Sequence, residues 1–171
     1  MHMTDSLQQG PTTVALGEMA HAARDRPADV PERRFVWHTS VFFDDLDAMG
    51  MLHNAAYVVL VERAASAFFE AHGWRWEKDP VRNPDQHYVV REQTVRYFEP
   101  ILGPGEVVVE MWVSRLGQTS ASFGFEVRSS GRVHALVERV HVKLDPVSLR
   151  PAPWTDRLRD QLAAVVRPSS Q

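Results

Sequence analysis

The stretch Ala55–His72, AAYVVLVERAASAFFEAH, decides the fold, because it runs without a glycine or a proline. Three of its few polar residues, Glu62, Ser66 and Glu70, recur every four positions and therefore form one stripe along a helix. The remaining surface of this helix is mostly apolar, so we expect the helix to be buried on most sides. Gly73 follows directly and predicts its end.

Strands are predicted on both sides of this helix, one before it and four after it. They are indicated by β-branched and aromatic residues, by alternation of apolar and polar positions, and by glycine- and proline-containing turns. The predicted strands are Phe35–Phe43, His87–Phe98, Glu106–Leu116, Ser120–Arg128 and Val133–Leu144, and a terminal helix is predicted over Trp154–Val166. In the last strand the apolar positions are Leu136, Val140, Val142 and Leu144.

Consecutive strands joined by short turns imply antiparallel pairing. The sequence therefore predicts an α+β fold in which a five-stranded antiparallel sheet wraps around one long central helix. Such a sheet has free edges, and aromatic residues such as Trp112 fall on its strands. We therefore expect a homodimer.

The chain of 171 residues is long enough for one domain with its own core. Residues 1–33 differ in composition and are predicted to be an N-terminal extension, flexible or partly helical, with a short helix over Thr13–Arg24. Residues 34–171 form the predicted domain. There is no apolar signal-peptide core, and the longest apolar run, Ala55–Val61, is too short for a membrane span. A cytoplasmic location with no membrane partner is expected.

Composition excludes several classes of function. A net charge of −3 argues against a nucleic-acid partner. The absence of cysteine removes disulfides, thiolate metal sites and thiol nucleophiles. No nucleophile elbow, phosphate-binding glycine loop or H-E-x-x-H motif occurs, and His134 and His141 fall on opposite faces of one strand. We expect no metal and no redox cofactor.

The stretch Phe43–Tyr57, FDDLDAMGMLHNAAY, carries the candidate chemistry, because it places three aspartates between a strand and the buried helix. The first amides of a helix lack intrahelical partners and carry partial positive charge, so they can stabilise an oxyanion. A carboxylate just before them can act as nucleophile or general base, and Asp47 is best placed to do so. The same aspartates can instead cap the helix and fill a turn. Spacing alone leaves both interpretations open.

The pattern D-x-D-A-M-G-x-x-x-N-x-x-Y in this stretch resembles the signature of hotdog-fold acyl-CoA thioesterases of the 4-hydroxybenzoyl-CoA thioesterase type. Two further segments resemble that family, Tyr97–Glu106 (YFEPILGPGE) and Arg115–Ser120 (RLGQTS), so the likeness covers about residues 36–153. The first motif is carried by Asp45, Asp47, Ala48, Met49, Gly50, Asn54 and Tyr57.

The resemblance implies hydrolysis of an acyl-CoA thioester to free acid and coenzyme A, with no cofactor beyond the coenzyme A of the substrate. It assigns the catalytic carboxylate to Asp47 and the oxyanion-binding amide to the neighbourhood of Asn54. It implies a homodimer or a dimer of dimers, with sites between subunits. The residues that it places at the substrate are Gly50, His53, Tyr57, Arg115, Thr119 and Ser120.

Two departures from the family pattern affect this assignment. His53-Asn54 stands where many relatives carry two asparagines, so His53 either tunes Asp47 or only packs there. The turn before Ser120 lacks the basic cluster that holds coenzyme phosphates in the 4-hydroxybenzoyl enzyme, and only Arg115 is near. Either other cations hold the nucleotide, or its binding is weak, or the substrate is an acyl carrier protein thioester.

Glu62 has two interpretations, because some hotdog thioesterases use a glutamate of the central helix for catalysis. We favour an ion pair or hydrogen bond across the dimer over a direct catalytic role. Two other functions stay open on this fold, a hotdog enoyl-CoA hydratase or dehydratase and a non-catalytic acyl-CoA-binding protein. The aromatic residues that could line an acyl pocket or belong to the core are Phe68, Phe69, Trp74, Trp76 and Tyr88.

Overall fold

The computed structural model describes residues 34–166. The predicted N-terminal extension, including the helix predicted over Thr13–Arg24, lies outside the described residues. The helices and strands are β1 (Phe35–Val41), α1 (Asn54–Ala71), β2 (Tyr88–Tyr97), β3 (Gly105–Leu116), β4 (Ser120–Ser129), β5 (Arg132–Lys143) and α2 (Asp156–Ala163). Short 3-10 turns occur at Phe43–Asp45 and Pro84–Gln86.

The five strands form one antiparallel sheet in the order β1-β3-β4-β5-β2. The β4–β5 hairpin turns at Ser130 and Gly131, whose φ angles of 49° and 76° match the left-handed conformation that such tight turns need. Strands β1 and β2 are the two edges of this sheet. The predicted α+β architecture is confirmed.

Helix α1 lies against the concave face of the sheet and forms the centre of the core. It buries Leu60, Val61, Ala64 and Phe68, whose neighbours in the core include Met111 of β3. Complete burial of one large apolar side chain contributes about 1.5–3 kcal/mol, so this face holds the helix in place. The helix ends at Ala71, and Gly73 follows just past its end with a φ of 78° in the left-handed region, as predicted.

Helix α2 closes one end of this core. Thr155 caps it by accepting a hydrogen bond from the Leu158 amide, and Leu158 and Leu162 are fully buried. The Trp74 indole donates to Gln161 (2.7 Å), which ties α2 to the segment after α1. The predicted apolar side of the terminal helix is confirmed, although the helix itself starts at Asp156.

The core face of β5 is not the face that carries the apolar positions Leu136 and Val140. Residues 135, 137, 139 and 141 pair with the apolar core positions of β4 and therefore face α1. The apolar residues Leu136 and Val140 lie on the convex face. The core positions of this strand include Arg139 and His141, two polar residues that are almost completely buried, so the apolar positions of the sequence do not mark its core face.

Trp112 does not support the expected dimer in the way we proposed from the sequence. Its side chain is buried on the convex face, with the Arg34 guanidinium 5.0 Å from the ring centroid. The indole lies directly over Gly124, where an added Cβ would overlap the ring.

The segment between α1 and β2 is held by a buried ion pair. The Lys143 ammonium lies 2.7 Å from the Asp85 carboxylate, and both side chains are almost fully buried. Asp85 also accepts hydrogen bonds from the backbone amide of Thr155 (3.0 Å) and from its hydroxyl. One carboxylate thus joins the start of β2, the end of β5 and the start of α2.

Candidate active site

The loop between β1 and α1 is a narrow antiparallel turn. The His53 amide donates to the Asp45 carbonyl (2.9 Å), and the Asp47 amide donates to the Met51 carbonyl (2.8 Å). Gly50 makes the bend with a φ of 72°, a conformation that favours glycine. The Gly103 amide donates to the Gly50 carbonyl (2.9 Å), so the segment before β3 fixes the loop from outside.

Asp47 is held in this loop by two backbone amides. Its Oδ1 accepts hydrogen bonds from Met49 (2.8 Å) and Met51 (3.1 Å). Within residues 34–166, Oδ2 has no hydrogen-bond partner, and the residue is partly buried. Asp45, two residues earlier, instead accepts from the Phe42 amide (2.9 Å) and closes a turn. The two aspartates therefore have different surroundings, since Asp47 is fixed by amides of the bend before α1, whereas Asp45 is fixed by an amide at the end of β1.

The start of α1 offers a free backbone donor. His53 caps the helix, since its Nδ1 accepts from the Ala55 amide (3.2 Å), so the expected capping role falls to this histidine and not to an aspartate. The Asn54 amide has no acceptor among the described residues, and its carbonyl accepts from the Tyr97 hydroxyl (3.2 Å). An unpartnered amide at a helix N-terminus carries partial positive charge.

Tyr57 supports the loop from inside the core. Its hydroxyl accepts from the Ile101 amide (3.4 Å), and its ring packs edge-on against Tyr97 with 5.2 Å between centroids. Burial raises the pKa of the Tyr57 hydroxyl above its ordinary value. The loop and the helix start thus bring together five of the predicted site residues: Asp47, Gly50, His53, Asn54 and Tyr57.

Glu62 lies two turns further along α1, and its partner is not the one expected. It forms an ion pair with Arg139 of the same chain, whereas the sequence had favoured a contact across the dimer. The Glu62 side chain is 52% exposed and that of Arg139 only 2%. Arg139 also donates from Nε to Gln93 (2.7 Å). A buried guanidinium needs such partners, which explains a glutamate on an otherwise apolar helix.

Arg115, Thr119 and Ser120 lie at the other end of the sheet. The turn is closed by a hydrogen bond from the Gly117 amide to the Ser120 carbonyl (2.8 Å) and follows the last residue of β3. The Asp47 loop lies at the first residue of β3, because Val41 of β1 pairs with Gly105. A strand of 12 residues separates the two ends, on the order of 30–40 Å. One chain therefore does not bring these residues to Asp47.

Comparison with known proteins identifies the family. The family profile described as the thioesterase superfamily matches residues 49–135, half of the chain. This chain belongs to the thioesterase superfamily. The match contains every predicted site residue except Asp47, which lies two positions before its start.

Individual relatives agree with this family and with the hotdog fold. The thioesterase is 25% identical over 118 residues to the acyl-CoA thioester hydrolase YbgC of Escherichia coli, covering 68% of this chain and 87% of that one. It is 31% identical to a thioesterase from Thermus thermophilus solved with coenzyme A and Zn, with a TM-score of 0.64 over 78% of this chain and 95% of that one. A 1,4-dihydroxy-2-naphthoyl-CoA thioesterase from Synechocystis shares the fold at 13% identity, with a TM-score of 0.68, covering 79% and 99%.

Two buried polar residues of this thioesterase were missed from the sequence, Arg139 and His141. The His141 ring stacks on Tyr88 (centroids 4.5 Å apart) and touches Phe123 (4.8 Å), and its ring nitrogens have no partner among the described residues. Burial, together with the nearby positive charge of Arg139, lowers the pKa of His141 to about 3. Alternation places Arg139 and His141 on one face with Ala135 and Val137. Because Leu136 and Val140 make the other face apolar as well, the sequence alone does not identify the core face.

The aromatic residues considered for an acyl pocket divide into two groups. Phe68 lies fully in the core, and Phe69, Trp74 and Tyr88 pack against it. Trp76 forms the second group, since it is 81% exposed and packs outside the core. In the part of the thioesterase that the structure describes, no three His, Asp or Glu side chains group as a metal site, and no helix is long and apolar enough to cross a membrane.

Proposed function

We propose that this thioesterase hydrolyses an acyl-CoA thioester, with Asp47 and the Asn54 amide acting on the thioester carbonyl. The observation that carries the proposal is that one loop holds both groups. The Asp47 carboxylate is fixed there through Oδ1, and the loop leads into α1, where the Asn54 amide has no acceptor among the described residues. Membership of the superfamily supports the reaction. Coenzyme A as the thiol is supported by the name of the Escherichia coli relative and by the ligand of the Thermus structure.

The proposed reaction needs only these groups and water. Asp47 Oδ2 takes a proton from a water molecule while the oxygen of that water attacks the carbonyl carbon of the thioester. The Asn54 N–H donates to the oxyanion that forms, and the helix start favours the negative charge there. The C–S bond then breaks, and the proton held by Asp47 passes to the departing thiolate. If Asp47 attacks directly instead, the C–S bond breaks, the thiolate leaves and a mixed anhydride forms. Water that attacks the Asp47 carbonyl of this anhydride releases the acid and leaves one oxygen of water in the Asp47 carboxylate during a single turnover.

The second part of the proposal is that the working site is completed by another copy of the chain. Strand β2 is an edge of the sheet, and its Val89 and Val90 side chains are 46% and 45% exposed. Val59 of α1 is also 43% exposed. An unpaired edge beside apolar side chains favours pairing with a second edge. We propose that β2 of one copy pairs with β2 of a second copy.

Such pairing would join the two separated halves of the site. Tyr97 lies at the α1 start, whereas Tyr88 lies near Phe69 towards the end of that helix. The turn after β3 lies at the Tyr88 end, because Ser120 pairs with Val142, and Val142 with Val89. Antiparallel pairing of two β2 strands about a two-fold axis sets the Tyr88 end of one copy beside the Tyr97 end of the other. The partner's turn then lies at the same end as this chain's Asp47.

The chemical part of the proposal is tested by Asp47→Asn. The amide side chain keeps an oxygen for the Met49 and Met51 amides, so the loop is preserved, but it cannot take a proton. We expect kcat for acyl-CoA, measured by thiol release, to fall by about 10²–10⁴-fold, as for loss of a general base. Asp45→Asn is the matched control, because Asp45 only closes a turn, and it should keep nearly full activity. Equal activity of Asp47→Asn and wild type would exclude the mechanism.

The assembly is tested by Val90→Glu, which introduces a charge beside the β2 edge. We expect the dimer to dissociate in light-scattering measurements and hydrolysis to fall with it. Val36→Glu is the control, since Val36 is 48% exposed on β1, the opposite edge of the sheet. A monomeric wild-type protein with full activity would contradict this part alone.

We also propose a cytoplasmic location and a reaction without a cofactor. The enzyme acts in the cytoplasm, which fractionation of cells would test. It needs no cofactor beyond the coenzyme A of its substrate, so treatment with a chelator should leave thiol release unchanged.

A further inference from the structure

A cleft of about 280 Å³ opens at the end of α1, away from the Asp47 loop. Its walls come from the segment between α1 and β2 and from the start of α2. Three arginines, Arg75, Arg82 and Arg157, line it. None of them belongs to the site described above.

The charges in this cleft do not cancel. Within residues 34–166, no carboxylate forms an ion pair with Arg82 or Arg157. Arg75 donates to backbone carbonyls, at 3.2 Å to Glu70 and 2.6 Å to Trp74.

Two acidic residues also line the cleft, and one of them is already neutralised. The Asp85 carboxylate is paired with Lys143 at 2.7 Å, so it does not offset the arginines. Glu77 is the other carboxylate on the wall. Three guanidinium groups against one unpaired carboxylate leave the cleft positively charged.

An exposed aromatic ring stands in the same segment. Trp76 is 81% exposed, and its chain neighbours Arg75 and Glu77 both line the cleft. The planar guanidinium group of arginine binds phosphate through two parallel, bidentate hydrogen bonds. An exposed indole offers a face on which a base can stack. Arginines for a phosphate and an indole for a base are together the groups that recognise a nucleotide.

We infer that this cleft binds the phosphorylated adenosine end of coenzyme A. The inference rests on the proposed function, which supplies a coenzyme A thioester as the substrate. It also accounts for the turn before Ser120, which lacks a basic cluster. The cations for the nucleotide come instead from the segment before β2.

The proposed dimer brings the cleft within reach of a catalytic carboxylate. In one chain, α1 separates the cleft from the Asp47 loop by about 27 Å. However, Asp85 lies three residues before Tyr88, so the cleft belongs to the Tyr88 end of β2. Antiparallel pairing of two β2 edges sets that end beside the Tyr97 end of the partner. The nucleotide held by one copy would then serve the carboxylate of the other.

Binding is tested with adenosine 3′,5′-bisphosphate, the nucleotide part of coenzyme A, by calorimetry on the full chain. We expect wild type to bind it and Arg82→Ala/Arg157→Ala to bind at least about tenfold more weakly, since both side chains are exposed and their removal spares the core. Arg150→Ala removes an exposed cation outside the cleft and should bind as wild type does. Equal affinities of wild type and the double variant, or no binding by wild type, would overturn the inference.

Steady-state kinetics show whether the cleft binds the nucleotide of the substrate or a separate, free nucleotide. On acyl-CoA, the double variant should raise KM about tenfold with kcat unchanged, whereas on an acyl-N-acetylcysteamine thioester, which has no nucleotide, KM should not change. Bisphosphate binding that depends on the arginines, with an unchanged KM for acyl-CoA, would assign the cleft to a free nucleotide and overturn the assignment to the substrate. If wild type hydrolyses neither thioester, the proposed function is rejected. The calorimetric measurement of bisphosphate binding would still test the cleft in that case.

Discussion

His141 should make the protein less stable in mild acid. The imidazole is buried between Tyr88 and Phe123, and its pKa in the folded chain is lowered to about 3. In the unfolded chain the same group has its ordinary pKa of 6.5. Between these two values the unfolded chain binds a proton that the folded chain does not. The stability that this difference gives is present above pH 6.5 and is lost as the pH falls towards 3.

The size of this effect follows from proton linkage. One proton bound only by the unfolded chain changes the free energy of unfolding by up to about 1.4 kcal/mol per pH unit. Between pH 6.5 and 4.5 the unfolded His141 goes from half to almost full protonation. The contribution of His141 to the loss of stability over this range is therefore about 2 kcal/mol.

The measurement is urea unfolding, followed by circular dichroism, at pH 6.5 and pH 4.5. Carboxylates also change protonation over this range, so the comparison is between wild type and His141→Phe, whose ring keeps the stack. We expect the variant to lose about 2 kcal/mol less than wild type on acidification. His38→Gln, at an exposed position on β1, should lose as much as wild type. Equal losses in wild type and His141→Phe would refute the reasoning.

Two other substitutions test the packing. Asp85→Asn leaves the buried Lys143 ammonium without its carboxylate, so urea unfolding should show a loss of about 3 kcal/mol, and a second substitution, Lys143→Met, should recover much of it; additive losses would contradict this. Gly124→Ala places a Cβ in the Trp112 ring and should cost about 1–3 kcal/mol in the same assay. Gly105→Ala, with open space around its Cβ position, should cost far less, and equal costs would disprove the role of the indole.

The parts of the fold that depend on local sequence were predictable. Helix α1 and its end at Gly73 follow from apolar spacing and from one left-handed residue. The Asp47 loop could be located because the hydrogen bonds within it join residues no more than eight positions apart. Local patterns are sufficient for such features, because the interacting groups are already close along the chain.

The parts that depend on distant partners were not predictable. Arg139 occupies a core position only because Glu62 and Gln93, both far away in the sequence, satisfy its guanidinium. Alternation alone gave β5 two apolar faces and no reason to choose the one that carries a charge. The arginine cleft was missed for the same reason, since Arg82 and Arg157 meet only in the folded chain.

The separation of Asp47 from Ser120 at opposite ends of the sheet has a consequence in genetic terms. If the site is shared between two copies, a chain damaged at Asp47 and a chain damaged at Ser120 are each inactive alone. In a mixed dimer, one of the two sites carries both defects, while the other combines the intact aspartate of one chain with the intact turn of the other. Two defective alleles of this gene would then complement each other, although they encode the same polypeptide.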